Sequence, residues 1–301
     1  MAKKSFISKI LNAIKEWGAM IITIITFIMT CIQLSPNKDN TIEVDKWLIY
    51  GGLALLLIII ISIWNNCTKK KCISEFSPGG GNTKIKIIVQ KGSVLKQKGF
   101  KVIHVQDTFE TSITKCKKQS LLHAFLSLKE VNIHDLDESI KESLESNGYT
   151  SSYVGYPLSY QLRNANMKTS KYEIGAVAGY KEEFLLVAFS NIKDSEGNVE
   201  EKDYSQYKDS VKKVFEGLQK NHTGNASNQP YNVGVWGFQY NGWLYDSRVR
   251  IETMVRSFIK VSRQKPFCDT LRICVNGKDA KRIGDFNEMQ VLLDYFTNTT
   301  D

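Results

Sequence analysis

Histidine is scarce in these 301 residues, and cysteine is present without pattern: there are four of the first and six of the second. The cysteines (Cys31, Cys67, Cys72, Cys116, Cys268 and Cys274) form no CxxC pair, and none stands at the spacing from histidine that zinc requires. No metal or cofactor centre is expected, and reduced thiols in a cytosolic setting fit best. His104, His123, His134 and His222 are spread through the chain with no acid at motif spacing. That excludes a recognisable general-base constellation and leaves each histidine a structural role. No basic stripe with interleaved aromatics exists either. The formal charge is +9, and nine Lys/Arg against five Asp/Glu in residues 1–76 hold +4 of it. The longest cluster in the remainder, KCKK at Lys115 to Lys118, reads as solvated surface, so nucleic acid is not an expected partner.

Two stretches lack charge altogether. WGAMIITIITFIMTCIQL (Trp17 to Leu34) and WLIYGGLALLLIIIISIW (Trp47 to Trp64) each run eighteen residues without Asp, Glu, Lys, Arg or His. As helices they extend about 27 Å, close to the thickness of a bilayer's hydrocarbon core. The first is long for a signal-peptide core and has no A-x-A-like cleavage site. Trp47, Tyr50 and Trp64 mark the second as a span with interfacial aromatics. Lys3, Lys4, Lys9 and Lys15 precede the first run, and Lys69 to Lys71 follow the second, against only Lys38 and Lys46 between them. A transmembrane hairpin with both termini cytoplasmic is expected. Ahead of it, Phe6, Ile7, Ile10, Leu11, Ile14 and Trp17 recur at helical spacing and suit an interfacial segment. With no ionisable residue in either span, any pore needs several copies, and Gly51, Gly52 and Ala54 are small positions for packing.

Residues 1–76 are thus expected to form the amphipathic N-terminus and hairpin, SPGGGNT (77–83) a flexible linker, and residues 84–301 a cytoplasmic domain. In that domain KIKIIVQ (84–90) and KVIHVQ (101–106) read as strands, followed by helices from Ser120 and over 134–147. Residues 172–179 and 183–190 read as a strand pair, 203–220 as an amphipathic helix, 231–235 as a strand, 246–262 as a helix, 271–275 as a strand and 287–296 as a last helix. Alternating strands and helices predict a three-layer α/β/α fold with a mixed sheet. In such folds the ligand crevice lies at the carboxyl ends of the strands, which directs attention to three loops. They are Gln90 to Leu95, Gln106 to Thr111, and Val233 to Trp243. The third holds Gly234, Gly237 and Gly242 before a helix, where backbone N–H groups can donate to a phosphate, and Trp236, Phe238 and Tyr240 as stacking faces.

KIIVQKGSVL, KVIHVQDTFET, GAVAGYKEEFLLVAFS and VGVWGFQYNG together resemble a divergent macro domain over about residues 84–278. The resemblance places Gly92, Ser93 and Val94 where the family has Gly-Asp-Ile or Gly-Asp-Leu, so the acid that recognises adenine is replaced by Ser93. Asp107, Thr108, Phe109 and Glu110 fall on the asparagine-rich loop facing the distal ribose, without the asparagines of hydrolytic members. Val235, Trp236, Gly237, Phe238, Gln239, Tyr240 and Asn241 fall on the diphosphate loop, which Gly234 precedes.

Two spans followed by such a domain resemble the membrane effector of type II Thoeris antiphage systems. The resemblance implies a non-enzymatic receptor whose ligand is an ADP-ribose conjugate, histidine-ADP-ribose above others, made by a TIR-domain partner. It also implies homo-oligomerisation on activation and disruption of the lipid bilayer. The competing readings are a membrane-tethered hydrolase of ADP-ribose conjugates, with Asp107 or Glu110 as base, and a scaffold that uses no small ligand.

Overall fold

The computed structural model describes residues 51–52, 71–78, 84–112, 120–153, 168–191, 203–221, 229–237 and 246–298. The chain divides into two units, Met1–Lys70 and Lys71–Asp301. Both expected spans lie outside the described residues except for Gly51 and Gly52, which are helical. Among the described residues no helix is long and apolar enough to cross a membrane.

The second unit is built on a seven-stranded sheet in the order β1-β2-β9-β8-β3-β7-β6. Its strands are β1 (Lys71–Phe76), β2 (Ile85–Lys91), β3 (Phe100–Gln106), β6 (Val177–Tyr180), β7 (Phe184–Ser190), β8 (Tyr231–Gly234) and β9 (Thr270–Val275); β4 (Ser152–Tyr153) and β5 (Ser170–Lys171) form a separate pair. β2, β9, β8, β3 and β7 run parallel, while β1 and β6 are antiparallel edges. The central strands are near-continuous apolar runs such as FLLVAFS because a parallel strand is covered on both faces.

Helices α1 (Leu121–Leu126) and α2 (Ile133–Ser146) build the core on one face with Ile103, Val105, Leu186 and Ala188. Helices α3 (Tyr204–Lys220), α4 (Ser247–Gln264), α5 (Gly277–Ile283) and α6 (Phe286–Asn298) build the core on the other. α3 starts at a reciprocal capping box between Asp203 and Gln206, and buries Tyr207, Val211, Val214, Phe215 and Leu218 along one stripe.

Three differences from the sequence reading have physical causes. The domain begins at Lys71, not after a linker ending at residue 83: β1 pairs with β2 from Lys71↔Gln90 to Phe76↔Ile85. Residues 77–83 therefore join two neighbouring strands of one sheet. The strand expected over 172–179 starts only at Val177, since Gly175 (φ +94°) turns beneath α3. There a Cβ on Gly217 would stand 1.8 Å from the Gly175 carbonyl oxygen, so glycine permits a close approach of helix and sheet. Finally, α5 was not expected; its sequence GKDAKRI is short and polar, and the Asn276 side chain holds its start by accepting from the N–H groups of Lys278 and Asp279.

Candidate functional site

Because five strands are parallel, their carboxyl ends open on one side of the sheet. Residues Gly92, Asp107, Asn191, Val235 and Asn276 follow them directly. In the first loop the Gly92 N–H donates to the Val275 carbonyl at 3.0 Å, tying β2's end to β9's. Ser93 is exposed and begins a 3-10 turn, Val94–Lys96, whose Val94 is buried. Val94 faces the third loop: a Cβ on Gly234 would lie 3.9 Å from its Cγ2 and 3.8 Å from Leu121 Cδ2. The first and third loops therefore meet across β8's end.

The second loop is buried. Asp107 has no exposed surface; its N–H donates to the Ser190 carbonyl at 2.8 Å and its carboxylate is paired with Lys171 Nζ at 3.2 Å. The Thr108 hydroxyl is enclosed with no hydrogen-bond partner among the described residues. Phe109 takes φ +51°, uncommon for a bulky residue, and packs edge-on to Tyr172 at 5.7 Å. Its carbonyl accepts from Lys168 Nζ at 2.7 Å, which also pairs with Asp137 at 2.6 Å. Glu110 turns back to accept from the Ser112 N–H at 3.0 Å. Lys168 and Lys171 thus hold this loop's conformation and charge; no motif announces them.

In the third loop Trp236 is fully buried, with its ring centroid 5.0 Å from Phe215 and 5.8 Å from Phe189. Its carbonyl accepts the Tyr207 hydroxyl at 2.9 Å, and its indole Nε1 has no partner among the described residues. The expectation that Trp236 offers an open stacking face is therefore corrected: an indole this large lowers its energy most by entering the core. Phe238, Gln239, Tyr240 and Asn241 lie outside the described residues.

Gly237 rests directly on Arg250, where a Cβ would come within 2.6 Å of Cδ and 2.7 Å of Nη1. Arg250 is buried in the first turn of α4 and donates through Nη2 to Asp279 Oδ1 at 2.6 Å and Ser247 Oγ at 3.0 Å. Asp279 also accepts from Ser247 Oγ and from Asn276 Nδ2, both at 2.7 Å. This network of Asn276, Asp279, Ser247 and Arg250 places a fixed cation against the glycine loop. Sequence reasoning missed it because its members sit on two helices separated by a strand in the chain.

His104, from β3, packs edge-on to Phe189 at 6.2 Å, and its Nδ1 has no partner among the described residues. Burial pushes its imidazole down to about 4, so the ring is neutral near pH 7. His134 is exposed beside Glu138 on α2. Cys72, Cys268 and Cys274 are free and buried, and burial pushes the Cys72 and Cys274 thiols up to about 11. Such thiols are poor nucleophiles. Among the described residues no group of three or more His, Cys, Asp or Glu is placed to hold a metal ion.

A mixed sheet between helical layers, with loops gathered at the ends of its parallel strands, defines an α/β domain of the macro type. Residues 87–276 match the family described as Thoeris protein ThsA, Macro domain, and the chain belongs to that family. Among solved structures it is similar to a macrodomain mutant of Oceanobacillus iheyensis, at 8% identity and a TM-score of 0.44, covering 74% of this chain and 94% of that one. No curated protein matches the chain.

Proposed function

We propose that this protein is a membrane-bound receptor of antiphage defence whose macro-type domain binds an ADP-ribose-derived signal, histidine-linked ADP-ribose above others. One observation carries the reading. Around the strand ends, Thr108 Oγ1, Asn191 Oδ1 and Arg250 Nε are buried with no hydrogen-bond partner among the described residues. Buried polar groups are nearly always satisfied, and several orphans beside one set of loops are what a polar ligand would complete. Gly237 backed by Arg250 suits a diphosphate, since glycine lets the backbone approach and the guanidinium supplies the charge. Membership of a Thoeris family supports a nucleotide-derived signal made by a TIR-domain protein.

In this reading the runs Trp17 to Leu34 and Trp47 to Trp64 cross the cell membrane, and the signal gathers copies whose hairpins then disrupt it. The signal does so only as far as it binds the assembled state better than the resting one. Binding is favoured over turnover because Asp107, the candidate base, is fully buried and already neutralised by Lys171.

The test is calorimetric titration of the full-length protein with ADP-ribose, NAD and histidine-linked ADP-ribose, with each mixture checked for breakdown products. The same protein in dye-loaded liposomes reports leakage. Tight binding of an intact conjugate together with leakage is expected. Steady breakdown would make the protein a hydrolase, and silence from all three would leave a scaffold.

A further inference from the structure

β1 is one edge of the sheet, and its burial alternates so that Cys72, Ser74 and Phe76 face inward while Lys71, Ile73 and Glu75 are exposed. Its inward face is held by α6: the Cys72 thiol donates to the Phe286 carbonyl at 3.0 Å, and the hydroxyls of Ser74 and Thr297 share a bond of 2.7 Å. The main chain of Ile73 points away from β2. Its N–H donates to Gln290 Oε1 at 2.9 Å and its carbonyl accepts from Gln290 Nε2 at 2.7 Å. One side-chain amide thus supplies both the acceptor and the donor that a residue of a further strand would supply. Since outward-facing groups recur every second residue in an antiparallel ladder, the N–H and carbonyl groups of Lys71 and Glu75 point the same way.

Edges of this kind invite another strand unless they are covered or charged. This one carries apolar surface as well. Ile73, 41% exposed, is one of six large hydrophobic side chains exposed among the described residues. The charge pattern identifies the partner. Antiparallel pairing of two β1 strands about Ile73 sets Ile73 against Ile73 and Lys71 against Glu75 on both sides of the two-fold axis. Each Lys71 then meets a Glu75 that also pairs with Lys86 of its own chain at 3.2 Å, and no like charges face each other, as a self-complementary interface requires. Parallel pairing would set lysine against lysine.

We propose that the β1 edge is a homodimer interface, in which the β1 strands of two copies pair antiparallel about Ile73 and the Gln290 amide is the plug they displace. A displaced Gln290 keeps one partner, because its Nε2 also donates to Asp294 Oδ1 at 2.9 Å. The interface is a property of the strand and does not depend on which ligand the loops hold.

Self-association of the full-length protein, measured by sedimentation in detergent micelles without ligand, tests it. Gln290→Ala removes two competing hydrogen bonds per copy and is expected to tighten association roughly tenfold. In that background Lys71→Glu turns two symmetry-related pairs from attractive to repulsive and is expected to weaken association about tenfold. Adding Glu75→Lys to that variant restores it. All these side chains lie at the surface, and an unchanged thermal midpoint verifies the fold of each variant. Association unmoved by Gln290→Ala, or weakened by Lys71→Glu without recovery in the double exchange, would overturn the proposal.

Discussion

Gly237 and Arg250 occupy one another's space: no Cβ fits at residue 237 while the Arg250 side chain stays where Asp279 holds it. Gly237→Ala is therefore expected to cost about 1 to 3 kcal/mol of stability, the usual range for overpacking a filled site. It should also weaken binding of an ADP-ribose conjugate at least as much as Arg250→Lys does. Denaturant midpoints and calorimetry measure the two effects separately.

Asp279→Ala leaves the Arg250 charge buried and unpaired. A loss on the order of 3 to 5 kcal/mol is expected in chemical denaturation, the range for removing one partner of a buried pair. Replacing Glu138, exposed beside His134 on α2, should change the same midpoint by less than about 0.5 kcal/mol.

Thr108→Val separates a structural hydroxyl from a binding one. The hydroxyl has no partner among the described residues, so its removal should leave stability unchanged or slightly raised. If the hydroxyl serves the ligand, affinity for the conjugate falls about tenfold in the same variant. A drop in thermal midpoint with unchanged affinity would contradict the site.

His104 sets a pH dependence. Its folded value lies near 4 against an ordinary value of 6.5, so between those limits the unfolded chain binds the proton and the folded one does not. Stability is then fully present above pH 6.5 and falls as the pH drops toward 4. The loss is about 2 kcal/mol between pH 6.5 and 5. His104→Phe should flatten that slope in urea titrations, and an unchanged slope would show that other groups produce it.

Much of the fold could be read from the chain because burial on both faces leaves a plain trace. IKIIVQK and FKVIHVQ carry β-branched apolar residues at their centres, FLLVAFS is apolar but for its last residue, and α3 opens on an acid that caps its first turn. β1 escaped because KCISEF is short, alternating and adjacent to lysines, so it looked like the flank of a membrane span. The loops of the site were legible as glycines and acids after strands; the groups that set their chemistry were not. Lys168 and Lys171 reach the second loop from a distant segment, Arg250 reaches the third from a helix, and Trp236 turned inward. Each of these depends on which surfaces meet, and local sequence carries no record of that.

The contact of Gly217 with Gly175 limits which residues the chain can carry at either position. A side chain at residue 217 would run into the carbonyl of residue 175, and one at residue 175 into the backbone of Lys213. Both clashes are with main chain, so each position requires glycine whatever residue stands at the other, and a larger residue at either would have to lift α3 from the sheet.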